Sequence, residues 1–215
     1  MSQPSDSYST LAGTGTAEQK IQRSTFLAFA AAAADEAAAR SCVDDLRRRY
    51  HDARHVCSAW RLGFQEPWLE ARHDDGEPPG SAGEPILQAI RGEALTATVV
   101  AVVRYFGGIK LGTGGLARAY GSTAAAALAA APRRAVRLGR YGRLEFAYAQ
   151  QKTLSRLLVT HGGRLDAETY GPNVQWRVWL PHAAWDGFAR AVREATAGQV
   201  MLQAAAPPGQ PGEFA

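Results

Sequence analysis

Cysteine is scarce in this 215-residue sequence: Cys42 and Cys57 stand alone, without CxxC spacing. That excludes a disulfide scaffold and suits a reducing, cytoplasmic setting. No run approaches the ~20 apolar residues of a bilayer span. The first 20 residues have no basic start, apolar stretch or cleavage signal, so neither a secretory leader nor membrane attachment is expected. Lysine is almost missing as well. Of 24 basic residues only Lys20, Lys110 and Lys152 are lysine, so most of the positive charge sits on planar guanidinium forks suited to phosphate and carboxylate. Apolar residues make up 46% of the chain, which excludes a disordered or collagen-like protein and is ample for a core.

The basic excess is local. Between Arg133 and Arg164, eight basic residues (Arg133, Arg134, Arg137, Arg140, Arg143, Lys152, Arg156, Arg164) face one acid, Glu145. Such a stretch attracts polyanions, or it is a solvated linker followed by one helix face.

Hydrophobic periodicity divides the chain in two. Residues 1–20, rich in Ser, Thr and Gly, are expected to be flexible, and 207–215 to be a disordered tail. A first α+β domain is expected over 21–132. It has strands near 23–30 and 55–62, a helix opened by Asp35 and Glu36, a short helix near 85–90 and a buried central strand at 97–106. The loop GGIKLGTGG then leads into an alanine-rich helix from Leu116, stopped by Pro132. A linker is placed at 133–141. Over 142–206 the order β-α-β-β-α-β predicts a ferredoxin-like domain, with Tyr141, Arg143, Gln175, Arg177 and Trp179 on its open sheet face as a stacking surface for RNA bases, or as a packing face.

Nine of the 22 glycines lie between Gly76 and Gly115. Such density marks tight turns or close backbone approach. After the central strand, Gly112, Thr113, Gly114 and Gly115 precede a helix whose N-terminal amides favour an anion, with Arg104, Lys110 and Arg118 as neighbouring cations. No GK[ST] closes this loop, and it is not GxGxxG. Asp74, Asp75 and Glu77, with Ser81, form a second, acidic motif. Near His55 and His73 it suggests metal-dependent hydrolysis, but carboxylates in a Gly/Pro loop more often cap backbone donors or pair with arginine, for which Arg72, Arg104 and Arg118 are candidates.

Three segments carry a resemblance: HVCSAW at 55–60, DDGEPPGSAG at 74–83 and RYFGGIKLGTGGLARAY at 104–120. In these the sequence resembles the YigZ/IMPACT family, with Ser81 where threonine is common. The resemblance implies an α+β chain of two domains. The first is of the ribosomal protein S5 domain 2 type, and the second is ferredoxin-like, similar to domain V of elongation factor G. It also implies nucleic-acid or ribosome binding and a role in translation regulation. The expectation is a non-enzymatic cytoplasmic protein whose partners are RNA or the ribosome, with protein partners in translation control. Phosphate contacts fall to Arg104, Lys110, Gly112, Thr113, Gly114, Gly115 and Arg118, aided by Arg133, Arg134 and Arg137. No catalytic residue, cofactor or metal is assigned. The alternatives are a nucleotide- or metal-dependent phosphotransferase or hydrolase using Asp74, Asp75 and Glu77, and a protein–protein adaptor.

Overall fold

The architecture was taken from a computed structural model that describes residues 7–64 and 67–208. It forms two compact units that divide between Val136 and Arg137.

The first unit is built on a five-stranded antiparallel sheet of order β2-β3-β6-β4-β5. Its strands are β2 (Gly15–Ile21), β3 (Ser24–Ala32), β4 (His55–Leu62), β5 (Leu69–His73) and β6 (Thr98–Tyr105). β6 is central, and its β-branched run is buried on both faces because helices cover both. Val99, Ala101 and Val103 pack beneath α1 (Glu36–Arg49), together with Val43, Leu46 and Trp60. Val100 and Val102 face α2 (Gly83–Gly92) and α3 (Gly112–Ala130), with Ile86, Ile90, Tyr120 and Leu128. Asp35 caps α1 by accepting from the Ala38 amide at 2.8 Å, as expected of a short acidic side chain before a helix. A two-stranded ribbon of β1 (Ser7–Leu11) and β7 (Arg133–Arg137) completes the unit.

The second unit has β8 (Gly139–Phe146), α4 (Gln151–Thr160), β9 (Arg164–Tyr170), β10 (Val174–Pro181), α5 (Trp185–Ala195) and β11 (Gln203–Ala205). The sheet order β11-β8-β10-β9 gives the ferredoxin-like arrangement. Leu144, Phe146, Trp176 and Val178 bury one face against Leu154, Leu158, Phe188 and Val192.

Three expectations need correction. Residues 7–20 are not flexible: they hold β1 and most of β2, because Gly15 lets the edge strand lie against α3. There an added Cβ would fall 2.1 Å from the Ala127 carbonyl oxygen. The segment 133–141, within which the two units divide, is not irregular chain: it supplies β7 and the start of β8. GTGG is not loop but the first turn of α3. Residues 1–6, and the expected tail beyond 208, lie outside the described residues.

Candidate phosphate-binding turn and the acidic loop beneath it

The acidic loop holds itself together. Asp74 Oδ1 accepts from the amides of Ala82 (3.0 Å) and Gly83 (2.8 Å), and Oδ2 from Gly80 (2.8 Å). Asp74 thereby supplies the cap that Ala82 cannot give to α2. Burial pushes its carboxyl upward, but the three backbone donors outweigh that and hold it below the ordinary carboxylate value. Asp75, at φ 45°, accepts from the Val56 amide (2.7 Å) and from Arg47 (3.0 Å). Ser81 donates its hydroxyl to the Pro78 carbonyl at 2.7 Å, and His55 Nδ1 lies 2.8 Å from the Asp75 carbonyl. Serine and histidine are therefore committed to separate backbone partners.

Glu77 and Arg104 are both buried and face each other, Nη1 to Oε1 at 2.5 Å; the Tyr120 hydroxyl donates to the same oxygen at 2.8 Å. Burial, followed by the charged neighbours, raises the Tyr120 hydroxyl well above its usual value. Cys57, whose thiol donates to the Asp74 carbonyl at 3.0 Å, is pushed up to about 12, chiefly by burial, with Glu77, Asp75 and Asp74 adding to the rise. A thiol raised this far is a poor nucleophile. Among the described residues, no cluster of three His, Cys, Asp or Glu is placed to hold a metal ion.

Beyond this layer lies the Gly-rich segment. β6 runs out into Phe106, Gly107, Gly108, Ile109 and Lys110, with Phe106 48% and Ile109 40% exposed. Gly107 touches the β2–β3 hairpin so closely that a Cβ would lie 2.0 Å from the Arg23 carbonyl carbon, and its amide donates to Ser24 Oγ at 3.1 Å. The hairpin turn itself is Gln22–Arg23, both at positive φ (44° and 67°), the two-residue geometry usually given to Asn-Gly. α3 then begins at Gly112, φ 70°, with no side-chain cap and no acid in its first turn. The Arg118 guanidinium folds back toward that turn, Nη1 falling 3.7 Å from where a Gly114 Cβ would stand. A cation beside the positive end of a helix is unfavourable unless an anion joins them. Among the described residues, Arg23, Lys110 and Arg118 have no carboxylate partner, whereas Arg40, Arg47, Arg48, Arg61, Arg72, Arg91, Arg104 and Arg133 each have one.

Residues 22–128 match the model of the Impact N-terminal domain, and residues 144–199 match a domain of unknown function (DUF1949). IMPACT family member YigZ of Escherichia coli (strain K12) is 35% identical over 191 residues, covering 88% of this chain and 93% of that protein. The chain belongs to the IMPACT family. An IMPACT family member in the pol 5' region of Thermus thermophilus is 51% identical over 113 residues, 53% of this chain and 59% of that one. A solved crystal structure of a hypothetical protein is 32% identical, with a TM-score of 0.65, over 94% of this chain and 98% of that chain.

Within this IMPACT family chain, Lys110, Gly112, Thr113, Gly114, Gly115 and Arg118 come together at the start of α3. Arg104 does not join them, because its charge is spent on Glu77 below the surface. Arg133 and Arg134 are not brought there either. They follow the far end of α3, which at 19 residues and ~1.5 Å per residue is about 28 Å long, well beyond the ~8 Å reach of exposed charges in physiological salt. Arg133 is also paired with Glu93 at 2.8 Å, and Arg137 ends the same strand. Arg23 was not foreseen; its only sequence signal is a basic residue between two β-forming runs. On the second unit's sheet, Arg177 is held by Asp166 at 2.6 Å. The Trp179 ring packs on Gly139 and already carries the Arg164 guanidinium 4.7 Å from its centroid. A base stacking on Trp179 would have to displace the Arg164 guanidinium. Among the described residues no helix is long and apolar enough to cross a membrane.

Proposed function

We propose that this protein binds RNA or the ribosome through the Gly-rich turn of its first unit, contacting phosphate oxygens rather than reading bases, in a regulatory role in translation in the cytoplasm. Membership of the IMPACT family supports a translation-related regulatory role in general terms. The observation that carries the phosphate reading is a helix N-terminus with neither cap nor acid toward which the unpaired Arg118 guanidinium folds, with Lys110 two residues before it in the chain and the Arg23 backbone against Gly107. Phe106 and Ile109, exposed beside them, offer apolar surface for a base, or for a protein partner on the ribosome.

Asp74, Asp75 and Glu77 act in this reading as the framework under the turn. Five of their six carboxylate oxygens accept from backbone amides, Arg47, Arg104 or Tyr120, which favours this structural role over a metal-ligating one. Titration of fluorescent RNA at several salt concentrations tests the proposal, because phosphate contacts give a linear fall of log affinity with log salt. Absence of RNA binding at low salt, with a nuclease-resistant protein partner captured through Phe106 and Ile109, replaces it with the adaptor reading.

A further inference from the structure

We infer that the cleft between the β2–β3 turn and α3 takes one nucleotide unit, with its phosphate on Arg118 and its base in the cleft. The inference rests on the phosphate reading of the Gly-rich turn and adds to it a place for the base. Edge strand β2 and α3 run side by side, and their spacing changes along the way. At one end Gly15 meets Ala127 so closely that an added Cβ would fall 2.1 Å from the carbonyl oxygen. Further along, Gln19 Oε1 lies 2.9 Å from Ser122 Oγ and 3.2 Å from Thr123 Oγ1, so side chains now bridge the two elements. Beyond that bridge they part. A cavity of about 390 Å³ opens there, with Ile21 and Gln22 on the strand side and Gly115, Arg118, Ala119 and Ser122 on the helix side. Gly115, Ala119 and Ser122 follow at i, i+4 and i+7, one face of the helix, and none has a side chain large enough to fill the gap. The volume is within the range of about 300–1,000 Å³ usual for small-ligand sites.

The chemistry of the lining selects the ligand. Ile21, Leu111 and Ala119 supply aliphatic walls, and all three pack on the core beneath, which holds the walls in place. Arg118 is exposed and, among the described residues, has no carboxylate partner; no acid lines the cleft. A guanidinium only donates, so its complement is a group rich in acceptor oxygens, and the fork suits phosphate. Gln22 brings an amide that both donates and accepts, able to meet the edge of any base. Apolar walls for a flat ring, an amide for its edge and a cation for an attached oxyanion together describe a nucleotide. Aliphatic walls carry no pattern of donors and acceptors, so the cleft takes a base without reading it. The nucleotide is either a free monophosphate or one residue of an RNA chain.

The test compares a short labelled oligouridylate with an abasic chain of equal length, by anisotropy at several salt concentrations. Wild type should bind the base-bearing chain about tenfold more tightly, the worth of burying one medium apolar group, and both chains should show the same salt slope. Ser122→Leu, at an exposed position where leucine favours the helix more than serine does, puts a side chain into the cleft. It should bring the base-bearing chain down to the abasic level without changing the slope. Ala37→Leu adds the same kind of bulk at an exposed position of α1, on the other face of the sheet, and should behave as wild type. Displacement of the labelled RNA by AMP, but not by ribose 5-phosphate, would assign a soluble nucleotide. No displacement by either, with the preference for the base-bearing chain intact, would assign a residue of the chain; either result supports the cleft. Equal affinity for the two chains in wild type, with the salt slope intact, would overturn the cleft and leave the phosphate reading standing, whereas no binding of either chain at low salt would remove both. A preference undiminished in Ser122→Leu would put the base on Phe106 and Ile109 instead, and that result, or a preference lost equally in Ala37→Leu, would also overturn the inference.

Discussion

Arg104 Nη1 sits 2.5 Å from Glu77 Oε1 with both side chains almost fully enclosed, joining the central strand to the acidic loop across 27 residues of sequence. Breaking one partner strands a buried charge. Glu77→Ala is expected to destabilise the fold by about 3–5 kcal/mol, and replacing Glu77 and Arg104 with Leu and Met, together with Tyr120→Phe to remove the hydroxyl that donates to the same oxygen, to restore much of it. Urea unfolding of the two variants against wild type checks this.

For RNA, the expected pattern is graded. Arg23→Ala, Lys110→Ala and Arg118→Ala should each lower affinity and reduce the salt slope by about 0.7, the value of one phosphate contact on a single strand. Arg133→Ala and Arg134→Ala, beyond the far end of α3, should leave that slope unchanged. Anisotropy titrations between low and physiological salt measure both sets. If the two sets behave alike, the phosphate site is not at this turn.

Asp74 links stability to acid. Its folded carboxyl lies below the ordinary value, so its contribution is present above the unfolded value of about 4 and is lost as pH falls through the lower, folded one. Asp74→Ala should cost about 1–2 kcal/mol near neutrality through loss of the α2 cap. Asp74→Asn should flatten the acid limb of the melting curve. Thermal melts from pH 7 downward compare the three proteins.

Both thiols should be slow to react. Cys57 is raised to about 12 and Cys42 is also raised, burial being the first cause in each and the Asp45 charge adding at Cys42. Alkylation at pH 8 is expected to label the native chain far more slowly than a urea-unfolded sample. Rapid native labelling of Cys57 would contradict its enclosed position.

The parts of this fold that were legible in the sequence are those whose apolar pattern is strong. β4 at 55–62, the buried run of β6 and the βαββαβ order of the second unit follow directly from periodicity. β2, β5 and β7 escaped because edge strands with exposed, polar residues carry little hydrophobic signal. The first turn of α3 escaped because GTGG has poor helix propensity and is held by packing against neighbours. At the site, the carboxylates' structural role and Arg104 as a pairing arginine are legible in the sequence, whereas Arg47, brought to Asp75 from α1, is not. Arg72, an equal candidate by sequence, pairs with Glu84 instead, and Arg118 stays free of carboxylates. Arg23 depended on a hairpin whose first strand was read as flexible.

The backbone contact between Gly107 and Arg23 leaves no slack between two segments far apart in the chain. Lengthening the 22–23 reverse turn by even a single residue would lever the neighbouring segment out of place, so insertions there should be as damaging as charge removal. Anyone redesigning this surface must treat both stretches as one rigid part, to be transplanted together or not at all.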